Sequence, residues 1–155
     1  MMREPMIKNP HLYSMLQRSH VIAGVGSRKY TNKVMTLQVL RREYFEHVRE
    51  FGRDLFIGIS GGCPGPDIWF KEWCKSQRIM FIEVLPADSS RNNYFIRNEM
   101  VAQIADELIA FIPRNQLRSG TWNTIRHFRE LGNTKNYTVF DEQGEQWDRE
   151  WSDVE

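Results

Sequence analysis

Apolar runs alternate with stretches of helical periodicity along most of this chain. Five short runs, rich in β-branched side chains, predict buried strands at 21–26, 55–59, 80–86, 107–113 and 137–140. Between the runs, apolar residues recur at steps of three and four, as they do on the buried face of a helix. Strands that alternate with such helices favour parallel pairing through right-handed crossovers. The pattern therefore predicts one α/β domain, a doubly wound parallel sheet of about five strands with helices on both faces.

The composition fits a single globular domain with an addition at each end. The 155 residues are 41% hydrophobic and 26% charged, which are ordinary values for a folded protein and exclude a disordered chain. Residues 20–140 hold the periodic pattern and are predicted to form the domain. Residues 1–19 have the composition of an N-terminal extension with one short helix around 12–17, and residues 141–155 form an acidic C-terminal tail.

Targeting and redox signals favour the cytoplasm. No apolar run is long enough to cross a membrane, and the N-terminus lacks the apolar segment of a secretory signal. Cys63 and Cys74 are too few for a disulfide framework and lack metal-ligand spacing. The four histidines lack that spacing as well. We therefore expect a cytoplasmic protein with no membrane contact, no metal and no cofactor.

The net charge of +1 conceals an asymmetry between the tail and the rest of the chain. Residues 141–155 carry seven acidic side chains and one basic side chain, a balance of −6, so residues 1–140 carry +7. A moderately basic body suits a small anionic ligand. No dense run of Lys and Arg with interleaved aromatic residues is present, and nucleic acid is therefore not expected as a partner.

A glycine-rich turn follows the second predicted strand and leads directly into a helix. Gly61, Gly62 and Gly65 allow backbone N–H groups to approach a ligand closely, and the following helix presents its positive N-terminus to the same place. Both features favour an anion, although a tight turn that binds nothing has the same sequence pattern. Asp67, in the first helical turn, is either a ribose acceptor or a helix cap.

Three further polar clusters follow other predicted strands: Gly26-Ser27-Arg28, residues 88–97 with Asp88 and Arg97, and Ser119-Gly120-Thr121. The carboxyl ends of parallel strands meet at one edge of the sheet, where ligands bind in this architecture. We therefore expect the four clusters to converge. Arg28 either pairs with a phosphate or lies in solvent. Arg97 is predicted to open a helix, where a base is unfavourable, so it serves a ligand or an ion pair with Asp88 or Glu99.

Five motifs in register resemble the SLOG superfamily of Rossmann-like nucleotide-binding domains, and in particular its YspA-like branch. They span roughly residues 20–140 and are Gly26-Ser27-Arg28, Gly61-Gly62-Cys63-Pro64-Gly65-Pro66-Asp67, Pro86-Ala87-Asp88, Ile96-Arg97-Asn98-Glu99-Met100 and Ser119-Gly120-Thr121. The resemblance implies a Rossmann-like domain that binds a nucleotide or a nucleotide-derived phosphoribosyl compound at the strand ends. The glycine turn and the helix that starts at Gly120 would contact it.

The resemblance also implies an enzymatic alternative, because related branches cut the N-glycosidic bond of nucleoside monophosphates with an arginine and a glutamate. In this chain Glu99 and Arg97 are the best catalytic pair for such a hydrolase or a deoxyribosyltransferase. Residues two apart on a helix, however, point roughly 200° away from each other. The related enzymes carry their glutamate shortly after the Gly-Thr pair, and here no carboxylate precedes Glu130. We rank binding first, hydrolysis second and a purely structural domain third.

Large aromatic side chains near the C-terminus predict self-association. Trp122, Trp147 and Trp151 are more apolar surface than a small domain readily buries, and relatives that resemble this chain often form dimers. A homo-oligomer is therefore expected. Trp147 and Trp151 are four residues apart and are expected to dock the tail on the domain or on a partner.

Overall fold

A computed structural model describes residues 9–152, and its centre is a five-stranded, entirely parallel sheet. The strands in chain order are β1 (His20–Gly26), β2 (Phe56–Ser60), β3 (Met80–Glu83), β4 (Glu107–Phe111) and β5 (Tyr137–Phe140). Their order in the sheet is β3-β2-β1-β4-β5, with parallel pairing at every step. The predicted fold class is confirmed.

Helices cover both faces of the sheet. They are α1 (Pro10–Arg18), α2 (Lys33–Phe51), α3 (Pro66–Ser76), α4 (Arg91–Ile104) and α5 (Gly120–Glu130), with a short 3-10 turn at Arg53–Leu55. Side chains of α1, α4 and α5 pack on one face, and those of α2 and α3 on the other. Alternate side chains of β1 supply the two layers, because Val21 and Ala23 join the first and Ile22 joins the second.

The chain reverses its direction of travel across the sheet at β1. From β1 it moves outward through α2 to β2 and then through α3 to β3, and α4 returns it on the opposite face to β4. A crevice therefore opens between the carboxyl ends of β1 and β4, where an open parallel sheet binds its ligands. No described helix has the length and apolarity that a membrane span requires.

Three boundaries differ from those expected. The segment 87–93, predicted as a loop, contains the start of α4, because the Ser90 hydroxyl accepts the Asn93 N–H at 3.3 Å and caps the helix at Arg91. Strand β3 ends at Glu83, earlier than expected. The helix expected around 12–17 is the longer α1, which Asn9 caps and whose Leu16 is fully buried in the core. Residues 1–8 of the predicted extension lie outside the described residues.

Candidate functional site

A cavity of about 400 Å³ lies at the carboxyl ends of β1, β2 and β4, in the size range of small-molecule sites. Of the residues predicted for the site, it is lined by Gly26, Ser27, Arg28, Gly61, Asp67, Arg97, Ser119, Gly120 and Thr121. Residues from all four predicted clusters or their helices thus meet at one place. Gly62, Gly65, Asp88 and Glu99 are not among its lining residues.

Asp67 ties two of the strand ends together. Its Oδ1 accepts the Gly26 N–H at 3.0 Å and its Oδ2 accepts the Gly61 N–H at 2.9 Å, with the side chain almost completely buried. Burial raises the pKa of Asp67 to about 6, against the effect of these backbone hydrogen bonds. Because each carboxylate oxygen accepts a backbone N–H, Asp67 acts as a brace between the loops rather than as the helix cap or ribose acceptor considered from sequence.

The glycines of the turn serve backbone geometry and close packing. Gly62 and Gly65 have φ of 78° and 102°, a region that other residues enter only at a cost. A Cβ at Gly26 would lie 2.3 Å from the Pro66 side chain, so the start of α3 packs directly on the end of β1. The expected anion cradle is corrected accordingly. Gly62 and Gly65 lie outside the cavity, and the N–H groups of Gly26 and Gly61 bind Asp67.

Arg97 places a buried guanidinium against the cavity. Its side chain is 6% exposed, its Nε donates to Asn98 Oδ1 at 2.9 Å, and its Nη1 donates to the Gly61 carbonyl. The guanidinium also lies 5.4 Å from the centre of the Tyr94 ring. Among residues 9–152 it forms no ion pair with a carboxylate. The expected ion pair with Asp88 or Glu99 is therefore absent within the described chain.

The reason given from sequence for singling out Arg97 was wrong. Helix α4 begins at Arg91, so Arg97 lies in its second turn and not at its first residue. The feature that distinguishes Arg97 is the burial of its guanidinium and not an unfavourable position in the helix dipole. Glu99 points elsewhere, since it is exposed and its Oε1 accepts a hydrogen bond from Gln103 Nε2 at 3.2 Å. The predicted catalytic pair is not brought together.

Asp88 organises the start of α4 instead of reaching the cavity. Its Oδ1 accepts the Ser90 N–H at 2.8 Å and the Asn93 side-chain amide at 2.7 Å. Hydrogen bonds from Ser90 and Asn93 lower the pKa of Asp88 to about 2, so the carboxylate is ionised at neutral pH. Asp88 does follow β3, as expected, but its carboxylate binds residues of its own turn and not the cavity.

The N-terminus of α5 forms another wall of the cavity. The Ser119 hydroxyl caps this helix by accepting the Trp122 N–H at 3.4 Å, and Gly120 and Thr121 form its first turn. Asn98 Nδ2 donates to the Gly120 carbonyl at 3.3 Å and so joins α5 to α4. A helix N-terminus carries partial positive charge and unpaired N–H groups, which favour an anion here.

Several lining residues were missed from sequence, among them Lys29, Cys63, Arg91, Tyr94, Phe95, Asn98 and Gln116. Asn98 stands beside Arg97 in one of the five motifs, so the sequence did contain a signal that could have identified it. Gln116 carried none, although its Oε1 accepts the Ser27 hydroxyl at 2.6 Å. Arg28, Lys29 and Arg91 are exposed at the mouth of the cavity, while Asp67 is its only acidic lining residue in the described chain. The cavity is thus electropositive.

Two solved structures with low sequence identity have a similar architecture. DNA processing protein A, DprA, from Helicobacter pylori aligns with a TM-score of 0.58 and 19% identity over 90% of this chain and 75% of that one. DprA from Streptococcus pneumoniae aligns with a TM-score of 0.54 and 16% identity over 83% of this chain. The fold is shared with DprA.

At these identities the likeness to DprA shows the fold alone, and the resemblance to the SLOG superfamily continues to rest on the five sequence motifs. This chain aligns with 51% of the S. pneumoniae DprA chain, about half its length. No protein-family model matches the sequence, and no curated protein matches it either.

The expectation that nucleic acid is an unlikely partner was wrong. The H. pylori DprA structure describes a single-stranded DNA binding mode, so the same fold accommodates a nucleic acid. The sequence argument relied on a dense run of basic residues. Arg28, Lys29 and Arg91 instead come together only through folding, because the first two follow β1 and the third starts α4.

The aromatic argument for a homo-oligomer also fails. Trp122 is 2% exposed, and its ring lies edge-on to Trp147 at 5.3 Å and to Trp151 at 5.8 Å. Trp147 Nε1 donates to the Ile112 carbonyl at 3.0 Å and holds the tail against the sheet. The three rings thus cover one another within a single chain, and their surface gives no reason to expect a second copy.

Proposed function

We propose that this chain binds the phosphate-bearing part of a nucleotide in the cavity between β1 and β4. The observation that carries the proposal is the buried guanidinium of Arg97, which borders the cavity with no ion-paired carboxylate in the described chain. Burial raises the pKa of the Asp67 carboxyl and the Arg97 charge opposes this rise, but the two residues form no salt bridge; a phosphate would engage the guanidinium directly through charge-assisted hydrogen bonds. The N-terminus of α5, which Asn98 joins to α4, adds favourable polarity beside Arg97.

The arrangement supports binding more than N-glycoside hydrolysis. A glycosidase needs a carboxylate close to the anomeric carbon of the sugar. Glu99 is exposed outside the cavity, and Asp67, the acidic lining residue, has both oxygens engaged by backbone N–H groups. Neither carboxylate is free to act on a bound sugar in this arrangement. We therefore do not favour the hydrolase or deoxyribosyltransferase alternative.

A second candidate is that the bound nucleotide is part of a single-stranded nucleic acid. Arg28, Lys29 and Arg91 surround the mouth of the cavity, and Phe95 beside them is 36% exposed. Cations that follow a backbone, together with an aromatic ring on which a base stacks, are the usual elements of single-strand binding. The single-stranded DNA binding of H. pylori DprA supports this candidate through the shared fold.

Thermal unfolding with a panel of ligands tests the proposal. Nucleoside mono- and diphosphates should stabilise the protein and the matching unphosphorylated nucleosides should not, with about 2.7 kcal/mol expected at a ligand concentration of 100 Kd. Arg97→Gln and the surface variant Arg28→Gln should weaken this response. Arg41→Gln, which removes an exposed arginine of α2 away from the cavity, is the control matched in charge. No stabilisation by any nucleotide or oligonucleotide would refute the proposal.

Three finer assignments extend it. The YspA-like branch rests on the five motifs in register, and the domain limits 20–140 rest on the span of that resemblance. A cytoplasmic location rests on the unpaired Cys63 and Cys74.

A release of free base from any nucleoside monophosphate, abolished by Glu99→Gln, would reverse the order in which binding and hydrolysis are ranked.

A further inference from the structure

A second cavity, here called the tail cavity, lies next to the first and has a volume of about 590 Å³. The two share Arg91, Phe95, Ser119 and Gly120 as lining residues, so they meet across the first turns of α4 and α5. The other side of the tail cavity is built by the C-terminal segment, which contributes Arg149 and Trp151.

The tail cavity is lined by four arginines, Arg91, Arg118, Arg126 and Arg149, and its described lining contains no acidic residue. Arg126 Nε is buried without a hydrogen-bond partner among the described residues, and its ion-pair distance to Glu130 Oε1 is a long 3.9 Å. In the described part of the tail, Asp148 accepts hydrogen bonds from the Tyr137 hydroxyl and from Trp151 Nε1, so its carboxylate is engaged by these two side chains.

Two of these arginines are held in place by aromatic rings. The Arg149 guanidinium lies 4.9 Å from the centre of the Trp151 ring and 5.9 Å from that of Trp122, and its Nη1 donates to the Leu117 carbonyl at 3.3 Å. Arg91 lies over Phe95 at 5.3 Å. A guanidinium fixed in this way loses less conformational entropy when it binds a phosphate.

We propose that the tail cavity is a second phosphate-binding site and that the ligand is a phosphodiester-linked chain of at least two nucleotides. This inference rests on the proposed function, because the first nucleotide occupies the cavity beside Arg97. The next unit crosses the shared wall at Arg91 and Phe95 and places its phosphate beside Arg118 and Arg126. A mononucleotide reaches one cavity, whereas a dinucleotide reaches both.

The test compares thymidine monophosphate with the 5′-phosphorylated thymidine dinucleotide by isothermal titration at several salt concentrations. We expect the dinucleotide to bind at least tenfold more tightly. Its slope of log K against log salt should be steeper by about 0.7, the value for one additional single-strand phosphate contact. The double variant Arg118→Gln/Arg126→Gln should remove both differences and leave the monophosphate affinity unchanged. These positions are chosen over Arg149, whose loss would disturb the docked tail.

The double variant Arg41→Gln/Arg42→Gln, on the exposed side of α2, controls for net charge and should retain the dinucleotide advantage. Equal affinity for the two ligands, or an advantage that survives Arg118→Gln/Arg126→Gln, would overturn the second site while leaving the first intact. Failure of both ligands to bind the unsubstituted protein would overturn the proposed function itself. A thymidine hexamer distinguishes a free dinucleotide from a longer single strand as the natural ligand. Only a strand that continues beyond both cavities gains further affinity with length.

Discussion

Replacing Asp67 by Asn should change the pH dependence of stability in a direction that the structure specifies. The carboxylate is buried among backbone N–H groups of Gly26 and Gly61, and burial raises its pKa from 3.8 to about 6. Asn has nearly the same shape but does not titrate. One N–H then loses its acceptor, which costs about 1–3 kcal/mol at every pH and does not alter the slope.

The sign and size of the pH effect follow from proton linkage. Between the ordinary pKa of 3.8 and the folded value of about 6, folded Asp67 binds more protons than the unfolded chain does. The free energy of unfolding therefore decreases as pH rises through this window and is flat above it. A shift of about two pKa units corresponds to about 3 kcal/mol. At pH 4 the unfolded carboxyl is already partly ionised, so wild type should lose about 2.4 kcal/mol of this relative to Asp67→Asn between pH 4 and pH 7.

Urea unfolding of both proteins at intervals from pH 4 to pH 8 measures this difference, in which the contributions of all other titrating groups largely cancel. The free energy of unfolding of wild type minus that of Asp67→Asn should decrease between pH 4 and about pH 6 and then remain constant. A difference that instead rises with pH would show that the backbone hydrogen bonds outweigh burial. In that case the carboxylate would be a net stabilising charge at neutral pH and the reasoning above would be refuted.

Two further predictions concern the glycine turn and the tail. Gly61→Ala should weaken nucleotide binding strongly, because its Cβ would lie 2.8 Å from Arg97 Cδ and Nη1 and would displace this buried side chain. Gly62→Ala should cost about 1–2 kcal/mol of stability at its φ of 78° and leave affinity unchanged. Titration calorimetry and urea unfolding of the pair separate the two effects. Trp147→Ala should cost about 2–3 kcal/mol and make the tail sensitive to limited proteolysis, and unchanged cleavage would contradict the docking.

Much of the fold was predictable because its signals are local. The strands alternate with helices in the sequence, and this alternation determines parallel pairing and the direction in which every strand points. The same logic located the site, since residues that follow parallel strands must share one edge. Ser27, Arg28 and Gly120 were assigned to the cavity on that basis and do line it.

The orientation of side chains at that edge was decided by tertiary structure. Ser90 caps α4 earlier than the polar composition indicated, and the starting point of a helix determines which of Arg97 and Glu99 faces inward. Asp67 could be assigned its partners only once β1 and β2 lay side by side, since the two N–H groups that it binds are 35 residues apart in the sequence.

The electropositive mouth and the covered tryptophans depend on contacts between distant parts of the chain. Arg28 and Arg91 form no basic run, yet folding brings both to one cavity. Trp122 meets Trp147 and Trp151 because the tail returns along β5 and across α5. A periodic pattern indicates which face of its own helix or strand a residue occupies. The local density of charge and the burial of an aromatic ring depend instead on which helices and strands pack together. The sequence by itself therefore determined the scaffold and the edge that binds, and only the assembled structure decided the chemistry of that edge.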